Sequence, residues 1–217
     1  MKYAILKLAH SDGIEIYQSD LPTSLRHPGY AWLGLRPVLA QHTRDEHALL
    51  ERWARGRSKI VEIGVAEGVS AIALRQNMQA EGTLYLIDPF HLSRFPIFNF
   101  TKRAAHRAVE SFPRGTVVWI NKFSSEAVRT WNSPIDLLLI DGDHTESGVR
   151  QDWEDWSRFV IPGGVVIFHD ARIFDAGWTN SDYGPVKLVD QIFREQMNPD
   201  WRIVEEAHSI VVIERHK

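Results

Sequence analysis

Read as apolar and polar positions, residues 59–215 fall into two alternating kinds of segment. KIVEIG (59–64), TLYLID (83–88), TVVWIN (116–121), IDLLLID (135–141) and GVVIFHD (164–170) are nearly continuous aliphatic runs, the pattern of strands buried on both faces. Between them, SAIALRQNMQA, TKRAAHRAVESF, SSEAVRTW, ESGVRQDWEDWSRFV and PVKLVDQIFREQM carry apolar residues at helical spacing. Thr101 is placed to cap the second of these helices, which should end before Pro113. Upstream, Thr43-Arg44-Asp45-Glu46 matches a capping box, and His47, Leu49, Leu50 and Trp53 continue a helix that Gly56 should end. The first stretch, YAILKLAHSDGIEIY, alternates on both sides of Ser11-Asp12-Gly13 and predicts a hairpin. Residues 18–36, with Pro22, Pro28 and Gly29, read as irregular.

Strands alternating with helices predict a parallel sheet covered on both faces. The chain then closes with WRIVEEAHSIVVIER, two strands around Ala207-His208-Ser209. So short a turn forces an antiparallel pair, because a parallel one needs a crossover of about a dozen residues. The expected fold class is therefore α/β, a doubly wound, Rossmann-like, mostly parallel sheet with an antiparallel last strand. Residues 43–217 form this domain, and residues 1–42 an N-terminal extension of hairpin and irregular segment.

Composition narrows the function classes. A chain of 217 residues with 44% hydrophobic and 24% charged residues can bury one proper core. Its formal charge of -3, with no basic block, gives no reason to expect a nucleic-acid partner. No apolar run approaches the ~20 residues of a membrane span, and Met1–Leu8 is too short in its apolar part for a secretory signal. The absence of cysteine excludes disulfides and thiolate metal sites. A soluble, cytoplasmic protein is expected; whether it forms a homo-oligomer is open.

The polar residues are more telling. In open α/β sheets, ligands bind outside the carboxyl ends of the strands, near the switch in strand order. Here the first strand runs into Glu62, Gly64 and Gly68, and the second into Asp88. The fourth runs into Asp141, Asp143 and His144, the fifth into His169 and Asp170. Any one could be a solvated strand end; four on one rim point to a site. VEIGVAEGVS is not a dinucleotide fingerprint, since Ala66 and Val69 fill the second and third glycine positions, and it lacks the Gly-Lys-Ser/Thr of a phosphate loop. It does combine an acid, a tight turn at Gly64 and a close approach at Gly68 with a helix start whose free N–H groups suit a carboxylate. Asp88, 24 residues after Gly64 at the next strand end, suits the two hydroxyls of a ribose. Together these suggest an adenosine ligand with a small zwitterionic tail.

On these residues the sequence resembles the class I S-adenosylmethionine-dependent methyltransferases. VEIGVAEGVS looks like their first motif, LYLIDPF their second, and IDLLLIDGDH with IPGGVVIFHD their fourth and fifth strands. IDGDH plus FHD is similar to the O-methyltransferase branch of the macrolide-sugar and cephalosporin-pathway enzymes, and more distantly to the catechol type. The resemblance implies that Glu62 and the Gly64 backbone hold the methionine part of S-adenosylmethionine, with Ser70 reaching its carboxylate and Gly68 opening the helix behind. It implies that Asp88 takes the ribose, that Phe90 or Phe123-Ser124 border the adenine, and that Asp141 lies near the methionine amino group. Asp141 and Asp170 would ligate a divalent metal such as Mg or Mn, with His169 as a third ligand shifting preference towards Mn, Fe or Zn. His144 matches the general base. Two positions depart from the pattern: Ala171 stands where the catechol type has Asn, and His169 where the macrolide-sugar type has Glu.

The expected reaction is methylation of a small-molecule hydroxyl. Trp178 and Tyr183, in the long connection 170–184, and Phe95, Phe98 and Phe100 are candidates to line the acceptor pocket, or else pack in a core or lid. Trp153 and Trp156, three apart, are expected in the core. Asp143 either orients His144 or starts the following helix. The competing readings are another Rossmann enzyme acting on a nucleotide, nucleotide-sugar or NAD, and a non-catalytic module that binds S-adenosylmethionine.

Overall fold

The computed structural model describes residues 26–90, 98–175, 177–196 and 198–217. The expected hairpin and Phe95 lie outside them. Seven strands form one sheet: β1 (Lys59–Ile63), β2 (Thr83–Ile87), β3 (Thr116–Ile120), β4 (Ile135–Ile140), β5 (Val160–Phe168), β6 (Trp201–Ala207) and β7 (Ile210–Arg215), in the order β3-β2-β1-β4-β5-β7-β6. β1 to β5 pair in parallel, and β7 runs antiparallel to both β5 and β6. This is the predicted doubly wound sheet with its reversed last strand. The switch in strand order falls between β1 and β4.

Register explains why the polar residues form a rim. Ile120, Ile87, Ile63, Ile140 and Phe168 pair successively across β3, β2, β1, β4 and β5, so the strands end level. The residue after each end then emerges along one edge: Asp88, Gly64, Asp141 and His169 stand in a row across the four central strands.

Helices cover both faces. α1 (Pro28–Leu33), α2 (Arg44–Ala54), α3 (Val69–Asn77) and α4 (Phe100–Glu110) lie on the chain's first half, and α5 (Ser124–Ala127), α6 (Glu146–Trp156) and α7 (Gly184–Val189) on its second. One core layer joins Leu49, Leu50, Ile72 and Leu74 to Leu84 and Leu137; the other joins Val149, Trp153, Trp156 and Leu188 to Leu138, Val166 and Phe168. Trp153 and Trp156 are thus core residues, as their spacing predicts. The capping box at Thr43 and Glu46 is present. Glu46 is fully buried and also accepts from the backbone N and Oγ of Ser209, tying the start of α2 to the β6–β7 turn (2.8 and 2.6 Å).

Three expectations are corrected. The cap of α4 is Asn99, whose side chain accepts from Lys102 N, because the helix starts one residue before Thr101. Residues 28–33 are helical, with His27 capping and Pro28 in the first turn, where a missing N–H costs nothing. β5 begins at Val160 and carries Pro162-Gly163 as an irregularity in its pairing with β4, where Gly163 takes a φ of +77°.

Candidate active site

The glycine loop opens at the end of β1, where the sequence places Glu62 and Gly64. Gly64 has a φ of +86°, and a Cβ there would stand 2.0 Å from the backbone oxygen of Asp141. The end of β1 therefore passes directly against the end of β4. Gly68 caps α3 at a φ of +85°, where a Cβ would meet Val109 of α4 at 2.9 Å. Ala66, at the second fingerprint position, is itself left-handed (φ +47°). Glu62 is wholly buried at the loop's base; Ser70 donates to its Oε1, and its Oε2 has no hydrogen-bond partner among the described residues. Burial first, then the nearby charges of Asp141 and Asp88, push its carboxyl well above the usual range. Ser70, expected at the cofactor's carboxylate, is thus engaged by Glu62.

Asp88 serves the loop as well as the rim. Its Oδ2 accepts from Val65 N and Ala66 N (2.9 and 3.2 Å), and its Oδ1 from Phe90 N (2.6 Å). Since a carboxylate has about four lone-pair sites, one remains on Oδ1 beyond these three bonds. Phe90 follows in a left-handed conformation (φ +50°), its ring 6.4 Å from Trp119. Ser124 opens α5 and donates to Asp152 of α6.

Four side chains meet at the ends of β4 and β5. His144 Nε2 lies 3.4 Å from Asp141 Oδ1 and 3.3 Å from Asp170 Oδ2. His169 Nδ1 lies 3.1 Å from Asp141 Oδ1 and 3.3 Å from Asp170 Oδ1, without hydrogen-bond geometry to either, and both of its buried ring nitrogens lack a hydrogen-bond partner among the described residues. Asp170 is strained (φ +53°) and accepts from Trp178 Nε1 at 2.7 Å. Burial opposes charge on His169, but the Asp141 and Asp170 carboxylates raise it to about 10. Burial likewise opposes ionisation of Asp141, yet the imidazoles of His169 and His144 hold it well below the carboxylate range. The Asp141 carboxylate beside it lifts His144 above 6.5 against its partial burial. Asp141, His144 and His169 can offer ligand atoms within 4.8 Å of one another. Ala171 is fully buried and donates its N–H to Ser209, so position 171 offers no side-chain ligand.

The remaining candidates divide. Asp143 accepts from Thr145 N, and Thr145 caps α6, which gives Asp143 the helix-start role. Gly184 N donates to His144 O, and a Cβ on Gly184 would strike the 144–146 backbone at 2.3–2.6 Å. That contact brings the Tyr183 ring within 6.5 Å of His144. Trp178 instead braces Asp170. Phe100 packs on His27 and Trp32 of the α1 segment, and Phe98 lies under Arg103, 5.7 Å from its guanidinium.

Three groups escaped the sequence reading. His42 is buried 6.5 Å from the His169 ring and bonds His47 (3.0 Å); burial, then His47 and His169, lower it to about 3. Arg36 makes a two-pronged ion pair with Glu67 of the glycine loop. Asp152 had a visible signal, since it falls on the buried stripe of Val149, Trp153 and Trp156.

Residues 61–171, about half of the chain, match the family model described as a methyltransferase domain. The chain is 27% identical over 188 residues to a protein described as uncharacterized protein y4gI of Sinorhizobium fredii, covering 82% of this chain and 19% of that one. It therefore spans about a fifth of that relative's length. Among solved structures it resembles the O-methyltransferase TomG of Streptomyces achromogenes, described as involved in tomaymycin synthesis and in complex with SAM (TM-score 0.62, 16% identity, 92% of each chain). It also resembles an O-methyltransferase of Bacillus cereus in complex with SAH (TM-score 0.59, 15% identity, 91% and 93%). Structures described as an N-methyltransferase and an rRNA methylase share the fold too, so the fold does not select the acceptor.

Proposed function

Because the chain belongs to the methyltransferase domain family, we propose that it moves the methyl group of S-adenosylmethionine onto a hydroxyl of a small molecule. Dependence on S-adenosylmethionine goes with the family and the class I fold; the acceptor, the site roles and the metal are the proposal. Residues 43–217 serve as the catalytic domain, with the preceding segment clamped to it by Arg36 and Glu67. Among the described residues no helix is long and apolar enough to cross a membrane. A cytoplasmic setting belongs to the same proposal.

The observation that carries the reading is the Asp141, His144, His169 and Asp170 cluster beside the glycine loop. Methyl transfer from a sulfonium needs an aligned acceptor, and alignment can supply ~7–11 kcal/mol. Glu62, with one oxygen unpartnered among the described residues, suits the cofactor's ammonium group. His144, 39% exposed on the open side of the cluster, takes the hydroxyl proton as the acceptor oxygen bonds to the methyl carbon. The carbon–sulfur bond breaks in the same step and leaves neutral S-adenosylhomocysteine. Tyr183 borders the acceptor.

The cluster also fits a divalent cation: a buried imidazole without a hydrogen-bond partner among the described residues faces two carboxylates at 3.1–3.3 Å. Asp141, Asp170 and His169 would hold it, and a bound cation lowers the pKa of a hydroxyl beside it. With His169 charged up to about 10, cation binding must expel its proton. Affinity for Mn should therefore rise up to about tenfold per pH unit between about pH 6 and 8, read by calorimetry. Affinity independent of pH would exclude His169 as a ligand, and full turnover in chelator would remove the cation from the reaction.

The cofactor reading is tested at Asp88. Asp88→Ala should weaken S-adenosylhomocysteine binding by about 1.5–3 kcal/mol. Unchanged affinity by calorimetry in a folded variant would take Asp88 out of the site. Thermal stabilisation by NAD and not by S-adenosylhomocysteine would overturn the reading as a whole.

A further inference from the structure

We propose that Asp152, acting through Ser124, makes this protein read the exocyclic amine of the cofactor's adenine. The inference rests on the reading of the rim as an S-adenosylmethionine site. With the zwitterionic tail at Glu62 and Asp141 and the ribose at Asp88, the base must extend past the ribose, away from Glu62. The family resemblance puts the base there, against the left-handed turn at Phe90 and the start of α5 at Ser124. Asp152 lies against this wall from behind. It is 4% exposed, and a Cβ built on Gly142 would stand 3.4 Å from its Oδ2.

The pair has a defined hydrogen-bond polarity. Ser124 donates its only hydroxyl proton to Asp152 Oδ1. Its oxygen can then only accept in the directions left open. A hydroxyl held this way welcomes an N–H and repels a carbonyl oxygen. Adenine carries an amine on its six-membered ring where hypoxanthine carries a carbonyl. Burial raises the Asp152 carboxyl to about 6, which leaves it ionised, and so an acceptor only, at neutral pH. An acid in the apolar stripe of α6 costs desolvation that Val or Leu at the same position would avoid. Orienting Ser124 gives that acid a use.

Asp152 is thus a positioning residue, and the test reads a ratio that a purely structural residue would not change. Binding of S-adenosylhomocysteine and of S-inosylhomocysteine, its analogue with the amine replaced by a carbonyl, is measured by calorimetry at neutral pH. The wild type should prefer the adenine form by about tenfold or more. In Asp152→Asn the amide can donate to Ser124 and turn its proton outward, so the preference should collapse to about threefold or less, or reverse. Ser124→Ala should lose it as well. Retention of the full preference in folded Asp152→Asn and Ser124→Ala proteins would overturn the proposal, as would equal binding of both ligands by the wild type. Asp152→Ala is secondary, because an emptied buried site can unfold the helix. Failure of the wild type to bind either ligand is a different result, and would overturn the cofactor reading on which this one rests.

Discussion

Replacing His144 with alanine should lower turnover by about 10²–10⁴ while S-adenosylhomocysteine affinity stays near wild type. His144 touches Asp141 and Asp170 from the exposed side of the cluster, and is not among Glu62, Gly64 and Asp88, the residues proposed to hold the cofactor. A base acts when neutral. Asp141 raises the His144 pKa above 6.5, so the wild-type rate should climb with pH through a value above 6.5 and level off beyond it. That rising limb should vanish in the variant. His169 cannot supply the limb, since without a cation it stays charged until about pH 10. Asp141→Ala should damage both turnover and cofactor affinity. The experiment begins with a screen of catechols, flavonoids and sugars that reads S-adenosylhomocysteine release. Wild-type turnover in His144→Ala would leave it a helix-start histidine, and loss of Mn affinity in that variant would make it a ligand instead of the base.

The largest effect on stability is expected at Gly64. Alanine there meets both a left-handed backbone and the Asp141 carbonyl, which a Cβ would approach to 2.0 Å. β1 and β4 are paired neighbours in the centre of the sheet, so neither can move aside alone. The expected cost is on the order of 3 kcal/mol or more, together with loss of cofactor binding. Gly163 is the control: it has a φ of +77° but no described residue within 4 Å of its added Cβ, so Gly163→Ala should cost about 1–2 kcal/mol. Urea titrations with unchanged m-values would measure both. Equal losses at the two positions would show that the close approach of β1 to β4 contributes nothing.

The order of strands and helices was legible because each central strand is buried on both faces and must be almost wholly aliphatic. The reversed β7 was legible because Ala207-His208-Ser209 is too short for a crossover. The rim was legible for the same reason: a polar residue ending such a run has only the sheet edge to occupy, as Asp88, Asp141 and His169 do. Local signals failed where an element depends on distant partners. Pro28–Leu33 reads as irregular, and forms a helix that packs on α4 through Trp32 and Phe100.

The amino-acid order by itself determined the fold class and the polar rim with its acids, because periodicity and strand ends act over a few residues. Only the tertiary structure decided what those acids touch. Parallel register set Asp141 between β1 and β5, which brought His169 and His144 onto one carboxylate and made a coupled cluster from residues that are separate in the chain. Packing of α6 against α5 joined Asp152 to Ser124 across 28 positions. Folding also turned Asp88 towards Val65 and Ala66, so that a carboxylate at the end of β2 holds the glycine loop after β1. The physical reason is common to all three. Hydrogen bonds and ion pairs form between groups within about 3–4 Å, and sequence distance carries no measure of that separation until the sheet has closed.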